Sequence, residues 1–162
     1  MIRASGMDLG TEGAIYRAKL DNGIITPLSC EGWNWSAVPE ELRYHEFASV
    51  CECELEWADA VGYEHVQFNR GKSIIEGLRG VLLSEATDAE ILCHGINVST
   101  LKSYAIPGKK RKRDKNAMAR ALAIEWPDFY DKIVTGGKKD DIVDAAWVVI
   151  WLLSNIREGE GG

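Results

Sequence analysis

The order of elements along the chain predicts one mixed α/β domain, a sheet with helices packed on its faces. Three observations carry that prediction. The chain opens with a hairpin-rich run of strands, it then alternates strand and helix patterns, and its 162 residues with 46% hydrophobic content suit one domain with a proper core. A hairpin-rich start favours antiparallel pairing, and strands separated by helices favour parallel pairing.

Ile2 to Leu9 has the pattern of a first strand. A tight turn at Gly10-Thr11-Glu12-Gly13 leads to a second, Ala14 to Leu20. Asp21-Asn22-Gly23 is a strong hairpin signal, so Ile24 to Leu28 is the third strand. Trp33-Asn34-Trp35 falls in a loop. Ser36 is a candidate helix cap, and Glu40 and Glu41 suit the positive end of a helix from Pro39 to about Trp57. Ala60 to Val66 is a strand. Ile74, Ile75, Leu78, Val81 and Leu82 recur at helical spacing within Ser73 to Ala86.

Ala89 to Ile96 is the last strand. Asn97 and Ser99 offer caps for a short helix through Tyr104, which Pro107-Gly108 ends. Asp114 starts a helix through about Glu125, and Trp126-Pro127 stops it. Thr135-Gly136-Gly137 forms a joint before a final helix, Asp140 to about Arg157. The domain thus spans residues 1–157, with 158–162 a disordered tail.

The four cysteines, Cys30, Cys51, Cys53 and Cys93, lack zinc-knuckle spacing, and Cys51-Glu52-Cys53 is too tight for a simple bridge. They read as free thiols. No apolar stretch is long enough to span a bilayer, and the N-terminus reads as a strand rather than a signal peptide. The expectation is a cytoplasmic protein with no membrane partner.

The chain's net charge of −6 argues against nucleic acid only if charge is evenly spread. Between Lys102 and Lys115 it is not. Lys102, Lys109, Lys110, Arg111, Lys112, Arg113 and Lys115 face one acid, Asp114, giving +6 and leaving −12 for the rest. Such a patch on an acidic body can bind phosphates. A solvated loop or a localisation signal is the plainer alternative.

Four acids carry the chemistry. Asp8 ends the first strand, Glu64 lies in the apolar run Val61 to Val66, and Asp141 and Asp144 open the apolar stretch Ile142 to Trp151. A carboxylate in an apolar run is costly to bury without an offsetting charge. Divalent cations supply one, and hard oxygen donors suit magnesium or manganese. Asp141 and Asp144 project from the same side of a helix. Two metals roughly 4 Å apart can activate water and stabilise the leaving oxygen of a phosphodiester. Taken singly, Asp8 could be a turn residue, Asp140 and Asp141 could serve the helix macrodipole, and Glu64 could pair with a nearby Lys or Arg.

Asp8, Glu64 and Asp141-Ile142-Val143-Asp144-Ala145-Ala146 together resemble the RuvC-type Holliday-junction resolvases of the RNase H-like superfamily, and in particular small phage-type members. Gly77-Leu78-Arg79-Gly80-Val81 is similar to that family's second helix. Thr100-Leu101-Lys102-Ser103-Tyr104, Gly108 and Asp114-Lys115 are similar to its DNA-binding segment.

The resemblance implies an RNase H-like mixed five-stranded sheet, three antiparallel strands then two parallel. It implies a magnesium-dependent crossover junction endodeoxyribonuclease with two Mg2+ per site, Mn2+ substituting. Asp8, Glu64, Asp141 and Asp144 would hold the metals, and Lys115 would contact the scissile phosphate. Lys102 and Lys109 to Arg113 would anchor DNA, and Phe68, one residue past the family's aromatic position, would stack on a base or else pack in the core. The partners would be four-way junctions and a second copy of the chain. The apolar faces of the Ser73 to Ala86 helix and its neighbours are candidate contact surfaces or, equally, core.

The chain departs from the family in its longer, more basic loop. It also has Gln67 where an aromatic is usual, and Lys138 and Lys139 where cellular members tend to have His. Asp140 is an alternative ligand to Asp141. The rival readings are a nuclease of the same fold acting on flaps or structured RNA, and a junction-binding protein without catalysis. An actin-like phosphotransferase would need a second Gly-rich loop and a longer chain.

Overall fold

The computed structural model describes residues 1–66, 73–108, 116–127, 130 and 139–159. Its elements are β1 (Ile2–Asp8), β2 (Glu12–Asp21), β3 (Ile24–Asn34), α1 (Glu40–Trp57), β4 (Ala60–His65), α2 (Ser73–Asp88), β5 (Leu92–Asn97), α3 (Val98–Ala105), α4 (Ala117–Glu125) and α5 (Lys139–Gly159). The five strands form one sheet in the order β3-β2-β1-β4-β5. β1, β2 and β3 pair antiparallel, and β1, β4 and β5 pair parallel. This is the mixed sheet that the sequence predicts.

The β2–β3 hairpin turns at Asn22 and Gly23, both at positive φ (49° and 76°), as a primed two-residue turn requires. β3 runs six residues past its expected end at Leu28. Its outer half pairs with the start of β2, Gly13 opposite Trp33 and Glu12 opposite Asn34. Trp33 and Asn34 are therefore strand residues, not loop. The Trp33 ring covers Gly13, where a Cβ would collide with it, and its indole N–H donates to Gly10 O at 2.9 Å. Long-range pairing and indole packing outweigh the weak strand propensity of Ser29 to Gly32. Pro27 is tolerated because β3 is an edge strand.

Helix α1 starts at Glu40 with Pro39 at the cap position, without a side-chain cap. The expected cap, Ser36, instead donates its N–H to Asn34 Oδ1 at 2.9 Å. Helix α2 runs to Asp88, so β5 begins at Leu92 rather than Ala89. The reason is a Schellman closure. Ile91 N–H donates to Ala86 O, Glu90 N–H donates to Thr87 O, and Glu90 sits at φ +57°. Asn97 occupies the cap position of α3 without a side-chain cap bond. α5 begins one residue before the expected Asp140 and ends two beyond Arg157. The Asp114 start of the fourth helix, the joint at 135–137 and residues 160–162 of the tail lie outside the described residues.

Each face of the sheet has its own core. On one, α5, α3 and α4 cover Ala4, Ala14, Tyr16, Ala18 and Ala60 with Leu101, Leu122, Val148, Val149 and Leu153. On the other, α1 and α2 cover Met7, Ile15, Val61 and Tyr63 with Phe47, Leu55, Leu78 and Leu82. Leu78, Leu82 and Ala86, from the helix named as a candidate dimer contact, belong to this second core. Beneath α1 lies a buried ionic network. Ser5 Oγ donates to Glu54 Oε2 at 2.6 Å, and Arg17 forks onto the same carboxylate. The four cysteines are free thiols. No helix among the described residues is long and apolar enough to cross a membrane.

Candidate functional site

Strand alternation decides where each acid points. On β1, Ala4, Gly6 and Asp8 share one face, and on β4 Ala60, Gly62 and Glu64 share it. Ala4 and Ala60 lie in the α5-side core, so this is the face that α5 covers. The parallel register pairs Ala4 with Ala60 and Gly6 with Gly62. One further step brings Asp8 and Glu64 side by side at the carboxyl edge of β1 and β4. Open α/β sheets commonly bind ligands outside this edge.

Helix α5 enters at that same edge with Asp140, Asp141 and Asp144 in its first two turns. Asp8 and Asp141 are joined by a hydrogen bond, and Glu64, Asp144 and Asp141 all press on Asp8 electrostatically. Burial first, and then these neighbours, push the Asp8 carboxyl up to about 9. Asp144 is pushed up to about 7, first by burial and then by Glu64, with Asp140 and Asp141 adding to it. The Lys102 ammonium on α3 pulls the other way on Asp144. Between the two helix-borne candidates, Asp141 is the one bonded to Asp8, while Asp140 is exposed.

The structure thus gathers Asp8, Glu64, Asp141 and Asp144 from three elements, with Lys102 at the rim. Among the described residues, no three His, Cys, Asp or Glu side chains stand close enough together to form a finished metal cage. The donor set nonetheless fits divalent magnesium or manganese in its chemistry. It is all carboxylate oxygen, and its acids raise the pKa of Asp8 and Asp144 in the way that a cation relieves. Phe68, Lys109, Lys110, Arg111, Lys112, Arg113 and Lys115 lie outside the described residues.

Sequence reasoning missed two features of the site. One is the Gly6–Gly62 pair beneath α5, whose signal was the motif Gly-x-acid occurring twice, in Gly6-Met7-Asp8 and Gly62-Tyr63-Glu64. The other is the clamp on the turn after Asp8. Trp33 holds Gly10 O, Trp35 N–H donates to Thr11 O at 2.9 Å, and the two indoles stack with centroids 5.1 Å apart. A Cβ on Gly10 would lie 2.5 Å from Glu12 O, so this tight turn requires glycine.

No protein-family model and no curated protein matches the chain. Solved structures do match its fold. RuvC of Thermus thermophilus is 17% identical, with 91% of this chain and 92% of that one covered and a TM-score of 0.65. T. thermophilus RuvC in complex with a Holliday junction substrate is 15% identical, with 91% and 90% covered and a TM-score of 0.66. Fowlpox virus resolvase in complex with substrate Holliday junction DNA is 17% identical, with 96% and 99% covered and a TM-score of 0.64. The chain has the RNase H-like fold of the RuvC-type resolvases across nearly its whole length, as the sequence resemblance implied.

Proposed function

We propose that this protein is a divalent-metal-dependent endonuclease that cuts phosphodiesters in branched DNA, resolving four-way junctions by paired symmetric nicks. The observation that carries the reading is the convergence of Asp8, Glu64, Asp141 and Asp144 at one sheet edge, with Asp8 pushed up to about 9 and Asp144 to about 7. Isolated structural acids have no reason to gather at such electrostatic cost. Likeness over nearly the full length to two resolvases, each captured with Holliday junction DNA, supports the choice of substrate.

In this reading the four acids hold two Mg2+ ions, for which Mn2+ substitutes. Bound metal would supply Lewis acidity and a nucleophilic water at neutral pH. The chain's own residues do the rest. β1, β4 and α5 orient the carboxylates toward one edge. Lys102, beside Asp144, offers positive charge to a phosphate that approaches the acids. Lys115 contacts the scissile phosphate, Lys109 to Arg113 track the DNA backbone, and Phe68 stacks on a base. A two-fold dimer places two such sites on a two-fold junction. The reaction would take place where DNA is handled, in the cytoplasm of a host cell for a phage-encoded protein.

The test is substitution of the acids. Asp8→Asn and Asp144→Asn should each reduce junction cleavage to background while junction binding stays near wild type, because the basic segment is untouched. Near-wild-type cleavage by either variant would remove the assignment. Binding without cleavage by the wild type would favour a non-catalytic junction-binding protein. Equal cleavage of flaps or structured RNA would favour the related nuclease.

A further inference from the structure

The face of the sheet beneath α5 carries Tyr16 and Leu20, but most of its positions on β1, β2 and β4 hold very small residues. Ala4, Gly6, Ala14, Ala18, Ala60 and Gly62 lie on it, and Gly6 and Gly62 are direct partners in the β1–β4 ladder. Each of the two glycines precedes a site acid by two residues, so it shares that acid's face. A Cβ on Gly6 would overlap the carbonyl oxygen of Ala145 and lie 2.6 Å from the backbone N of Val149. By α-helical spacing these are the two ends of one helical hydrogen bond. The backbone of α5 therefore rests directly on Gly6. A Cβ on Gly62 would lie 2.9 Å from Val148 Cγ1, 3.4 Å from Leu152 Cδ2 and 3.5 Å from Ile96 Cδ1. There the nearest obstruction is the fully buried Val148 side chain, which is branched at Cβ and held to one preferred rotamer in a helix.

Ala145 directly follows Asp144, and Val148 is one turn beyond it. The packing that sets the depth of the helix is therefore the packing next to the acid. We propose that the register-matched pair Gly6 and Gly62 forms a seat that fixes how closely α5 approaches the sheet, and so sets the spacing between Asp141 and Asp144 on the helix and Asp8 and Glu64 on the strands. Both glycines are positioning residues. They act through their packing against α5, Gly6 on its backbone and Gly62 on the Val148 and Leu152 side chains. Two carboxylates on a strand pair and two on a helix can share ions only at one separation, and a methyl group at either glycine changes it. The consequence for metal binding rests on the proposed function. The consequence for geometry does not.

The experiment compares full-length wild type with Gly62→Ala, Gly6→Ala, the double variant Gly62→Ala/Val148→Ala, and Gly80→Ala, whose Cβ would meet nothing within 4 Å. Mn2+ affinity is measured by calorimetry, and the separation of the Asp8 and Asp144 Cα atoms is measured in crystal structures. Gly62→Ala should fold, lengthen that separation and weaken Mn2+ binding by about tenfold, as removal of the groups that orient metal ligands does. Trimming Val148 should restore both, because the nearest obstructing atom is then absent. Gly80→Ala should match wild type. Gly6→Ala should shift α5 further, and if it fails to fold, the Gly62 variants alone decide.

A folded Gly62→Ala with wild-type separation and affinity would overturn the seat, and so would a double variant that restores neither. Wild type that takes up no Mn2+ would overturn the metal reading instead. The Asp8–Asp144 separation in Gly62→Ala would then decide the seat by itself.

Discussion

Asp8 is the residue on which the local physics concentrates. It ends β1 among three other acids, and burial and their charge push it up to about 9 from an ordinary 3.8. A carboxyl with a pKa raised by folding holds its proton more tightly in the native state. Its contribution to stability is thus complete below the unfolded value near 3.8 and is lost as pH rises through the folded value. Asp144, pushed up to about 7, adds to the same loss in the lower part of that window. The metal-free protein should therefore melt at progressively lower temperature from about pH 4 to about pH 9. Asp8→Asn should flatten the fall and exceed wild type at its alkaline end. Mg2+ or Mn2+ should restore wild type there, because a cation bound only by the folded state stabilises it. Parallel melting curves for wild type and Asp8→Asn without metal would refute this account of the acid cluster.

At the scale of elements, two segments make separable predictions. Helix α2 closes with Glu90 at φ +57°, a conformation that penalises an L side chain and suits glycine. Glu90→Gly should stabilise the protein by about 1 kcal/mol in urea unfolding. A destabilised variant would mean that the Glu90 side chain has a role of its own. The basic segment speaks to function. Neutralising Lys109, Lys110, Arg111, Lys112 and Arg113 together should weaken junction binding. For each phosphate no longer neutralised, the slope of log affinity against log salt should fall by about 0.9. An unchanged slope would make the segment a solvated loop.

The elements also show how far the sequence could be read. Hairpin chemistry at Asn22-Gly23 and helical periodicity in Ile74 to Leu82 are local signals, and they placed their elements correctly. The second half of β3 was illegible because Ser29 to Gly32 is held by pairing with β2 and by Trp33 over Gly13, interactions between residues distant in sequence. Asp8, Glu64 and Asp144 stood out as charges inside apolar runs. Which of Asp140 and Asp141 turns toward Asp8 did not, because it depends on how α5 is rotated, which becomes visible only in the hydrogen bond between Asp8 and Asp141. The Gly6–Gly62 seat left only the repeated Gly-x-acid motif as a trace in the sequence, since the pairing itself exists only once the β1–β4 register is known.

At the scale of the whole molecule, one sheet edge collects the acids while the basic segment follows α3, the helix that carries Lys102 to Asp144. A single chain of this design holds one set of four acids, yet resolving a junction requires two cuts at symmetric positions. The protein should therefore sediment at about twice its 18.0 kDa chain mass. The most direct measurement is cleavage of a synthetic four-way junction labelled on two opposite strands, with Mg2+ and with a chelator. The account predicts paired nicks at equivalent positions in opposite strands, giving two nicked duplexes, and none in chelator. Undiminished cleavage in chelator, or an intact junction bound by protein in saturating Mg2+, would contradict it.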